Sequence, residues 1–251
     1  MKLLDGIRVL DMARLIPGPM LTMLLADLGA NVIKVEEKKV GDYLRIGSEP
    51  EKFGGSIPLF LWTNRNKRDI SVDLKAPEGR RAVLDLAKTC QVAVEGSRPG
   101  VEAKLGLGNE DLKAVNPSII YCSITGFGQD GPFAQLATHG GAYDAIAGLA
   151  VPLQVKDDNY VQHRPYPHSL TYGSWAGAMG VCAALVRGAA HRRGCLPGHL
   201  MRRRRRGGAG PGASARPERG RGGLAGPERR HLRQVLLLQD EGRPVHADPG
   251  H

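Results

Sequence analysis

The sequence predicts an α/β protein built on a doubly wound parallel sheet. Short apolar segments alternate along the chain with longer segments of helical periodicity, and Gly or Pro stands at many of the breaks. The first two apolar segments are joined by a connection that is long enough for one helix. This alternation is typical of parallel strands that are covered by helices on both faces.

The first strand–helix–strand unit covers residues 7–36. Residues 7–12 have the composition of a strand, and Pro17-Gly18-Pro19 then opens a helix with a broad apolar stripe that Gly29 ends. Residues 31–36 form the second predicted strand. Because such connections are almost always right-handed crossovers within one sheet, we expect these two strands to lie parallel.

Three more strands are predicted, at residues 69–72, 92–95 and 119–124. A helix is predicted after the first of them, because Pro77 and Glu78 suit the start of a helix and apolar residues follow at helical spacing. These elements complete the pattern of a doubly wound sheet.

The turn after the first strand differs from the turns that bind dinucleotides. It has one glycine, Gly18, between two prolines, and this does not fit the GxGxxG pattern. We therefore expect no nicotinamide or flavin cofactor. A helix N-terminus at the carboxyl end of a strand remains, and this is a general place for an anionic ligand.

Charge divides the chain near residue 187. Residues 1–186 carry 20 Lys and Arg against 20 Asp and Glu, whereas residues 187–251 carry 15 Arg and five acids. We therefore predict a folded region, 1–186, and a basic low-complexity tail, 187–251, that is disordered. As it stands, the Arg/Gly/Pro-rich tail would bind nucleic acid through charge alone, without sequence specificity.

Composition also predicts where the protein resides. Apolar runs stay below the length of a membrane span and the N-terminus does not fit a secretory signal, so we predict a cytoplasmic protein with no membrane contact. Cys90, Cys122, Cys182 and Cys195 are too far apart for a CxxC clamp. We predict that the cysteines are buried as small apolar side chains and that no metal is bound.

Ordered motifs fill residues 6–150. In order of position they are Gly6-Ile7-Arg8-Val9-Leu10-Asp11, Pro17-Gly18-Pro19, residues 23–36, Gly41-Asp42 with Arg45, Asn64-Arg65-Asn66-Lys67-Arg68, Asp73-Leu74-Lys75 with Pro77-Glu78-Gly79, Arg98-Pro99-Gly100, Leu105-Gly106-Leu107-Gly108 and Gly126-Phe127-Gly128-Gln129-Asp130-Gly131-Pro132. The series closely resembles the type III CoA-transferase superfamily (CaiB/BaiF type), which also contains α-methylacyl-CoA racemase.

The resemblance implies a Rossmann-like large domain, a smaller second domain and an interlocked homodimer. It implies an acyl-CoA substrate, and therefore coenzyme A as the bound group. We expect the C-terminal part of that fold to be missing from this chain or replaced by the tail. The residues that match CoA-contacting or neighbouring loop positions of the family are Lys38, Asn66, Lys67, Arg68, Arg98 and Lys104. One departure is Gly96-Ser97, where relatives commonly have Asn-Phe.

The reaction depends on two positions in this family. His139 matches the histidine of the racemase branch, which moves a proton at the α-carbon. The second group is an aspartate in relatives, and the matching positions here are Ser169 and Leu170. Asp144 is the nearest candidate substitute, although a helix-capping role is the simpler interpretation.

Three functions follow from the resemblance. The first is racemisation or epimerisation of a 2-methylacyl-CoA, with His139 as an acid or base. The alternatives are a CoA transferase that moves CoA between carboxylic acids, and an inactive truncated family member. The last is linked to a second interpretation of the tail: a one-nucleotide frame shift from about His191 permits a family-like sequence in its place.

Overall fold

The computed structural model describes residues 2–46, 58–148, 154–156, 159–161, 168–192 and 237–238. Its main sheet has six strands in the order β3-β2-β1-β4-β5-β8, of which the first five lie parallel. The strands are β1 (Arg8–Asp11), β2 (Asn31–Glu37), β3 (Lys67–Val72), β4 (Val92–Glu95), β5 (Ile120–Ser123) and β8 (Leu237–Leu238). A separate antiparallel hairpin contains β6 (Gln154–Lys156) and β7 (Asn159–Val161).

Helices connect the strands of the described chain. They are α1 (Pro17–Asp27), α2 (Pro58–Thr63), α3 (Pro77–Ala87), α4 (Val101–Lys104), α5 (Asn109–Val115), α6 (Gly140–Ile146) and α7 (His168–Arg192). A short 3-10 turn covers Tyr43–Arg45. The predicted helix starts at Pro17 and Pro77 are confirmed. Proline suits the first position of a helix, because the N–H that it lacks would have no partner there.

The predicted parallel pairing of the first two strands is confirmed, with Arg8 opposite Asn31. Strand β3 begins two residues earlier than the apolar pattern predicted, at Lys67, because its ladder with β2 already starts where Lys67 lies opposite Val32. Pairing with a neighbouring strand extends β3 into charged residues that an apolar pattern cannot detect.

The order of the strands puts β1 and β4 side by side in the middle of the sheet. The chain adds β2 and β3 on one side of β1, and then returns to add β4 and β5 on the other side. In doubly wound sheets, ligands bind outside the carboxyl ends of the strands at such a reversal. The topology therefore marks the carboxyl ends of β1 and β4 as the place for a site.

Two apolar cores cover the two faces of the sheet. Val9 and Leu10 are neighbours in β1 and point into opposite cores, as the alternation of side chains in a strand requires. Val83 of α3 belongs to the core of Leu10, whereas Leu21 of α1 and Val181 of α7 belong to the core of Val9. Because both faces are covered there, the central strands β1, β4 and β5 are buried at nearly every residue.

The cysteines follow the prediction where the structure describes them. Cys90 and Cys122 are buried, one in each core, and Cys182 is half-buried. Burial raises the pKa of the Cys90 thiol, and it raises that of Cys122 to about 12. Both thiols therefore stay protonated and behave as small apolar groups. Cys195 lies outside the described residues.

Helix α7 packs along α1 and is anchored there by the Ser174 hydroxyl, which donates to the carbonyl of Pro17 at 2.8 Å. Its other face exposes Tyr172, Trp175 and Met179. Contrary to the prediction from sequence, the segment His168–Ala189 is long and apolar enough to cross a membrane by length and composition alone. Core helices share this property, and one face of α7 contributes Val181 to the core of Val9.

Helix α7 extends across the predicted boundary between folded region and tail. Residue 187 lies inside α7, which continues to Arg192. Further on, Leu237–Leu238 form β8 and pair antiparallel with Cys122 and Ser123 of β5. The parallel sheet is therefore confirmed for β1 to β5 and not for β8. The rest of the tail, 193–236 and 239–251, lies outside the described residues.

Candidate functional site

A cleft of about 580 Å³ opens at the carboxyl ends of β1, β4 and β5. Three loops that follow these strands line it: residues 14–17, 96–99 and 124–127. The rest of the lining consists of residues 136–140 together with Leu44, Ala134, Tyr143, Leu170 and Gly173. The cleft has the size and the predominantly apolar lining of a small-molecule site, and it lies where the strand order reverses.

Two arginines, Arg14 and Arg98, line the cleft from the ends of the adjacent strands β1 and β4. The guanidinium of Arg14 lies 5.8 Å from the ring centre of Tyr43, and Arg98 is exposed. Within the described residues, no carboxylate lines the cleft. Because a guanidinium matches phosphate and carboxylate groups, the cleft is suited to an anionic ligand. Arg98 was predicted; Arg14 was missed, since a single charge after a strand carries no signal of its own.

His139 lies in the cleft as the N-cap residue of α6. Its side chain is exposed, and its backbone carbonyl accepts the N–H of Ala142 at 2.9 Å. One turn further on, the ring of Tyr143 packs edge-on against Phe127 with 5.3 Å between the ring centres. An imidazole in this position can donate or accept a proton. His139 belongs to no cluster of metal-binding side chains in the part of the chain that is described.

Asp144 is fully buried and is not among the residues that line the cleft. Its Oδ1 accepts the backbone N–H of Ser169 at 2.7 Å and the Ser169 hydroxyl as well. Its Oδ2 is buried without a hydrogen-bond partner among the described residues. Asp144 thus caps the start of α7 and ties that helix to α6. The structure brings His139 into the cleft but does not bring Asp144 there with it.

Ser169 and Leu170 are the two positions that match the family's aspartate, and they differ in their surroundings. Ser169 is buried against Asp144, whereas Leu170 lines the cleft. A Cβ added to Gly140 would lie 2.9 Å from a methyl group of Leu170. A carboxylate at position 170 would therefore face the cleft wall of α6, and one at position 169 would meet the carboxylate of Asp144.

Of the six residues predicted to contact CoA, Arg98 lines the cleft. Four of the others are exposed and do not line the cleft: Lys38, Asn66, Arg68 and Lys104. Asn66 donates to Asp27 at 2.8 Å, and Arg68 donates to Asn31 at 2.5 Å. Their contact with CoA stays a prediction.

The side chain of Lys67, the sixth residue, is almost completely buried and does not line the cleft. Its ammonium donates to Asp11 Oδ2 at 3.0 Å, to the carbonyl of Pro19 at 2.8 Å and to Asn64 at 2.9 Å. Burial lowers the pKa of Lys67, although the charge of Asp11 opposes this shift. These bonds join the end of β1 to the start of α1. The structure gives Lys67 a structural role, and contact with CoA stays a prediction.

A second cavity, of about 120 Å³, shares Arg98 with the cleft. Glu95 and Glu102 line it, and the Ser97 hydroxyl donates to Glu102 at 2.6 Å. Burial raises the pKa of Glu95 to about 7, against the hydrogen bonds from Ser123 and the Ser97 N–H, and it also raises the pKa of Glu102. A carboxyl group that titrates near neutral pH therefore lies beside the cleft. From sequence, Glu95 was only the last residue of a strand.

A model of CoA-transferase family III matches residues 4–196, which is most of the chain. The chain belongs to CoA-transferase family III. The predicted resemblance is thereby confirmed. This family match ends before the five consecutive arginines of residues 202–206.

Curated relatives of this CoA-transferase family member carry transferase names. The chain is 49% identical over 147 residues to succinyl-CoA:glutarate CoA-transferase of Mus musculus, which covers 59% of the chain and 33% of the relative. It is 44% identical over 151 residues to succinate–glutarate CoA-transferase of Agrobacterium fabrum, a match that covers 58% of the chain and 38% of the relative. It is 38% identical over 156 residues to formyl-CoA:oxalate CoA-transferase of Rhodopseudomonas palustris, a match that covers 62% of the chain and 36% of the relative. The chain thus spans about a third of the length of these relatives.

Solved structures give the same result for the fold. A CaiB/BaiF family protein from Brucella suis superposes with a TM-score of 0.67 at 36% identity, over 76% of this chain and 50% of that one. Rv3272 from Mycobacterium tuberculosis superposes with a TM-score of 0.66 at 33% identity, over 77% and 52%. The predicted Rossmann-like α/β fold is confirmed. The relatives named here favour the transferase alternative over the racemase that the sequence placed first.

Proposed function

We propose that this chain is the CoA-binding part of a CoA-transferase that moves CoA between small carboxylic acids, at least one of them a dicarboxylic acid. One observation carries the proposal: Arg14 and Arg98 line the same cleft at the reversal of strand order, and His139 lines it too. The names of the relatives, which pair succinyl-CoA with glutarate or formyl-CoA with oxalate, support this class of substrate.

The cleft provides charge for both partners of the transfer. A phosphate of CoA and the carboxylate of an acid are anions, and each can pair with one guanidinium. In the proposed reaction the carboxylate of the acceptor acid attacks the thioester carbonyl, the C–S bond breaks and CoA leaves as a thiolate. The thiolate then attacks the acceptor's acyl carbon in the resulting anhydride, and the donor acid leaves as a carboxylate. Nearby positive charge stabilises the negative charge that develops on oxygen and sulfur.

Binding of CoA tests the proposal directly. Replacing Arg98 by Ala removes one charge-assisted bond, so we expect the Kd for CoA to rise by roughly ten- to a hundredfold. Isothermal titration of the intact chain with CoA measures this, and Arg81→Ala is the matched control, because Arg81 is exposed on α3 and does not line the cleft. Equal Kd values for the two variants, or no CoA binding by the parent chain, would contradict the proposal.

The reaction itself separates the three functions. Incubation with succinyl-CoA and glutarate, followed by mass spectrometry, detects glutaryl-CoA if the chain is a transferase. Deuterium uptake at the α-carbon of a 2-methylacyl-CoA would instead support a racemase, for which the position of His139 in the cleft is the favouring observation. CoA binding without either reaction is the result expected of an inactive family member.

A further inference from the structure

We propose that the buried ion pair between Lys34 and Asp42 positions Arg14 in the cleft. The inference rests on the proposed function only in assigning Arg14 to an anionic group of the substrate. The Lys34 ammonium lies 2.9 Å from the Asp42 carboxylate. Both side chains are almost completely buried, since Lys34 is 1% exposed and Asp42 is 0% exposed. Neither side chain lines the cleft. The ion pair acts through the backbone of residues near the cleft lining.

The pair holds the backbone on both sides of Arg14. Lys34 donates to the carbonyl of Ala13 at 2.9 Å, and both carboxylate oxygens of Asp42 accept the N–H of Leu15 at 3.2 Å. Leu15 has a φ of 64°, in the left-handed region that residues with a Cβ rarely occupy. The bonds from the Leu15 N–H to Asp42 compensate for this unfavourable conformation. Arg14 is thus held between two anchored neighbours.

Asp42 also holds the residue on which Arg14 lies. Its Oδ1 accepts the N–H of Leu44 at 2.9 Å and so caps the 3-10 turn that contains Tyr43. The guanidinium of Arg14 is the cation above the Tyr43 ring, and Leu44 lines the cleft. One carboxylate therefore fixes both loops that meet at Arg14.

The charge of Asp42 is needed for this arrangement. Its oxygens accept two backbone N–H groups and the ammonium of Lys34. In Asp42→Asn, the single amide oxygen can replace only part of these acceptors, and the amide nitrogen would face either an N–H or the Lys34 ammonium. We expect Leu15 to leave the left-handed region in this variant, and Arg14 to move with it.

Two measurements on the intact chain test the inference. Hydrogen exchange at the Leu15 and Leu44 amides should accelerate by about tenfold or more in Asp42→Asn, because each loses a charge-assisted bond. Asp85→Asn is the matched control, since Asp85 is 53% exposed on α3 and its carboxylate pairs with Lys88. Unchanged exchange at Leu15 in Asp42→Asn would overturn the proposal, whatever the chain's function.

A double-mutant cycle separates positioning from general loosening. We expect Asp42→Asn to raise the Kd for CoA about tenfold in the parent chain but less than twofold in an Arg14→Ala background, since the pair acts through Arg14. Equal effects in both backgrounds would overturn the proposal. If the parent chain does not bind CoA, the proposed function fails, and hydrogen exchange alone decides whether the pair positions the loop.

A second variant covers the case in which Asp42→Asn does not fold. Lys34→Met combined with Asp42→Leu replaces the ion pair by apolar groups, which buried sites often tolerate without loss of stability. The double variant should remain folded by circular dichroism and still show fast exchange at Leu15 and weaker CoA binding. A folded double variant with parental exchange at Leu15 would contradict the inference.

Discussion

Leu170 occupies a cleft position where the proposed transfer would profit from a carboxylate. Its side chain is half-buried, lines the cleft and lies next to Gly140. The neighbouring position is less suitable, because the Ser169 side chain bonds to the buried carboxylate of Asp144 and a second carboxylate there would meet a like charge. The two positions that match the family's aspartate are therefore not equivalent in this chain.

Leu170→Asp tests this difference. If CoA binds as proposed, an aspartate at position 170 offers an enzyme carboxylate to the thioester, and we expect glutaryl-CoA formation to increase at least about tenfold. Leu170→Asn is the matched control, because it has nearly the same shape and no nucleophilic carboxylate. Similar rates for the two variants would mean that no nucleophile acts from this position.

At the scale of elements, two glycines near the starts of helices have different surroundings. A Cβ on Gly79 of α3 would lie 2.0 Å from the carbonyl oxygen of Asp73, and this backbone oxygen cannot rotate away. A Cβ on Gly141 of α6 would have no atom within 4 Å. Gly79 therefore lets the turn after β3 pack directly onto α3, whereas Gly141 has no such packing role.

Alanine substitutions at the two glycines should consequently have opposite effects. Gly79→Ala should lower the free energy of unfolding by about 1–3 kcal/mol, because the clash exceeds the gain in helix propensity. Gly141→Ala should be neutral or stabilising by up to about 1 kcal/mol. Urea denaturation followed by circular dichroism measures both. A Gly79→Ala protein as stable as Gly141→Ala would show that the turn can shift without cost.

At the scale of the whole molecule, buried acids make stability depend on pH in two opposite ways. Burial alone would raise the pKa values of Asp11 and Glu36, but their cationic partners lower them. Their contribution to the free energy of unfolding is therefore lost as the pH falls below the usual range of carboxyl groups. The pKa of Glu95 is raised from 4.5 to about 7. The contribution of Glu95 to the free energy of unfolding is fully present below pH 4.5 and is lost as the pH rises towards 7.

The effect of Glu95 on folding can be measured. A shift of this size corresponds to about 3 kcal/mol between the two limits of pH. We expect Glu95→Gln to remove much of the decrease in the free energy of unfolding between pH 5 and pH 8, because the amide keeps an acceptor for the Ser97 N–H without titrating. The test is urea denaturation of parent and variant at both pH values. Parallel pH profiles would show that Glu95 is not the group responsible.

The sequence by itself determined the parallel strands β1 to β5 and the family, and it predicted Arg98 and His139 as site residues, which the structure places in the lining of the cleft. Apolar periodicity and Pro or Gly at breaks are local signals, and ordered motifs over 145 residues carry a family likeness. Local patterns cannot give the depth of a charged side chain or the full order of the strands in the sheet.

Only the tertiary structure decided which of the predicted residues share a surface. It buried Lys67 against Asp11 and Asp144 against Ser169, and it added Arg14 and the Lys34–Asp42 pair. Most of these facts depend on contacts between residues far apart in sequence, such as Asp11 with Lys67. The physical reason is that burial and hydrogen bonding of a charge are set by all the elements packed around it.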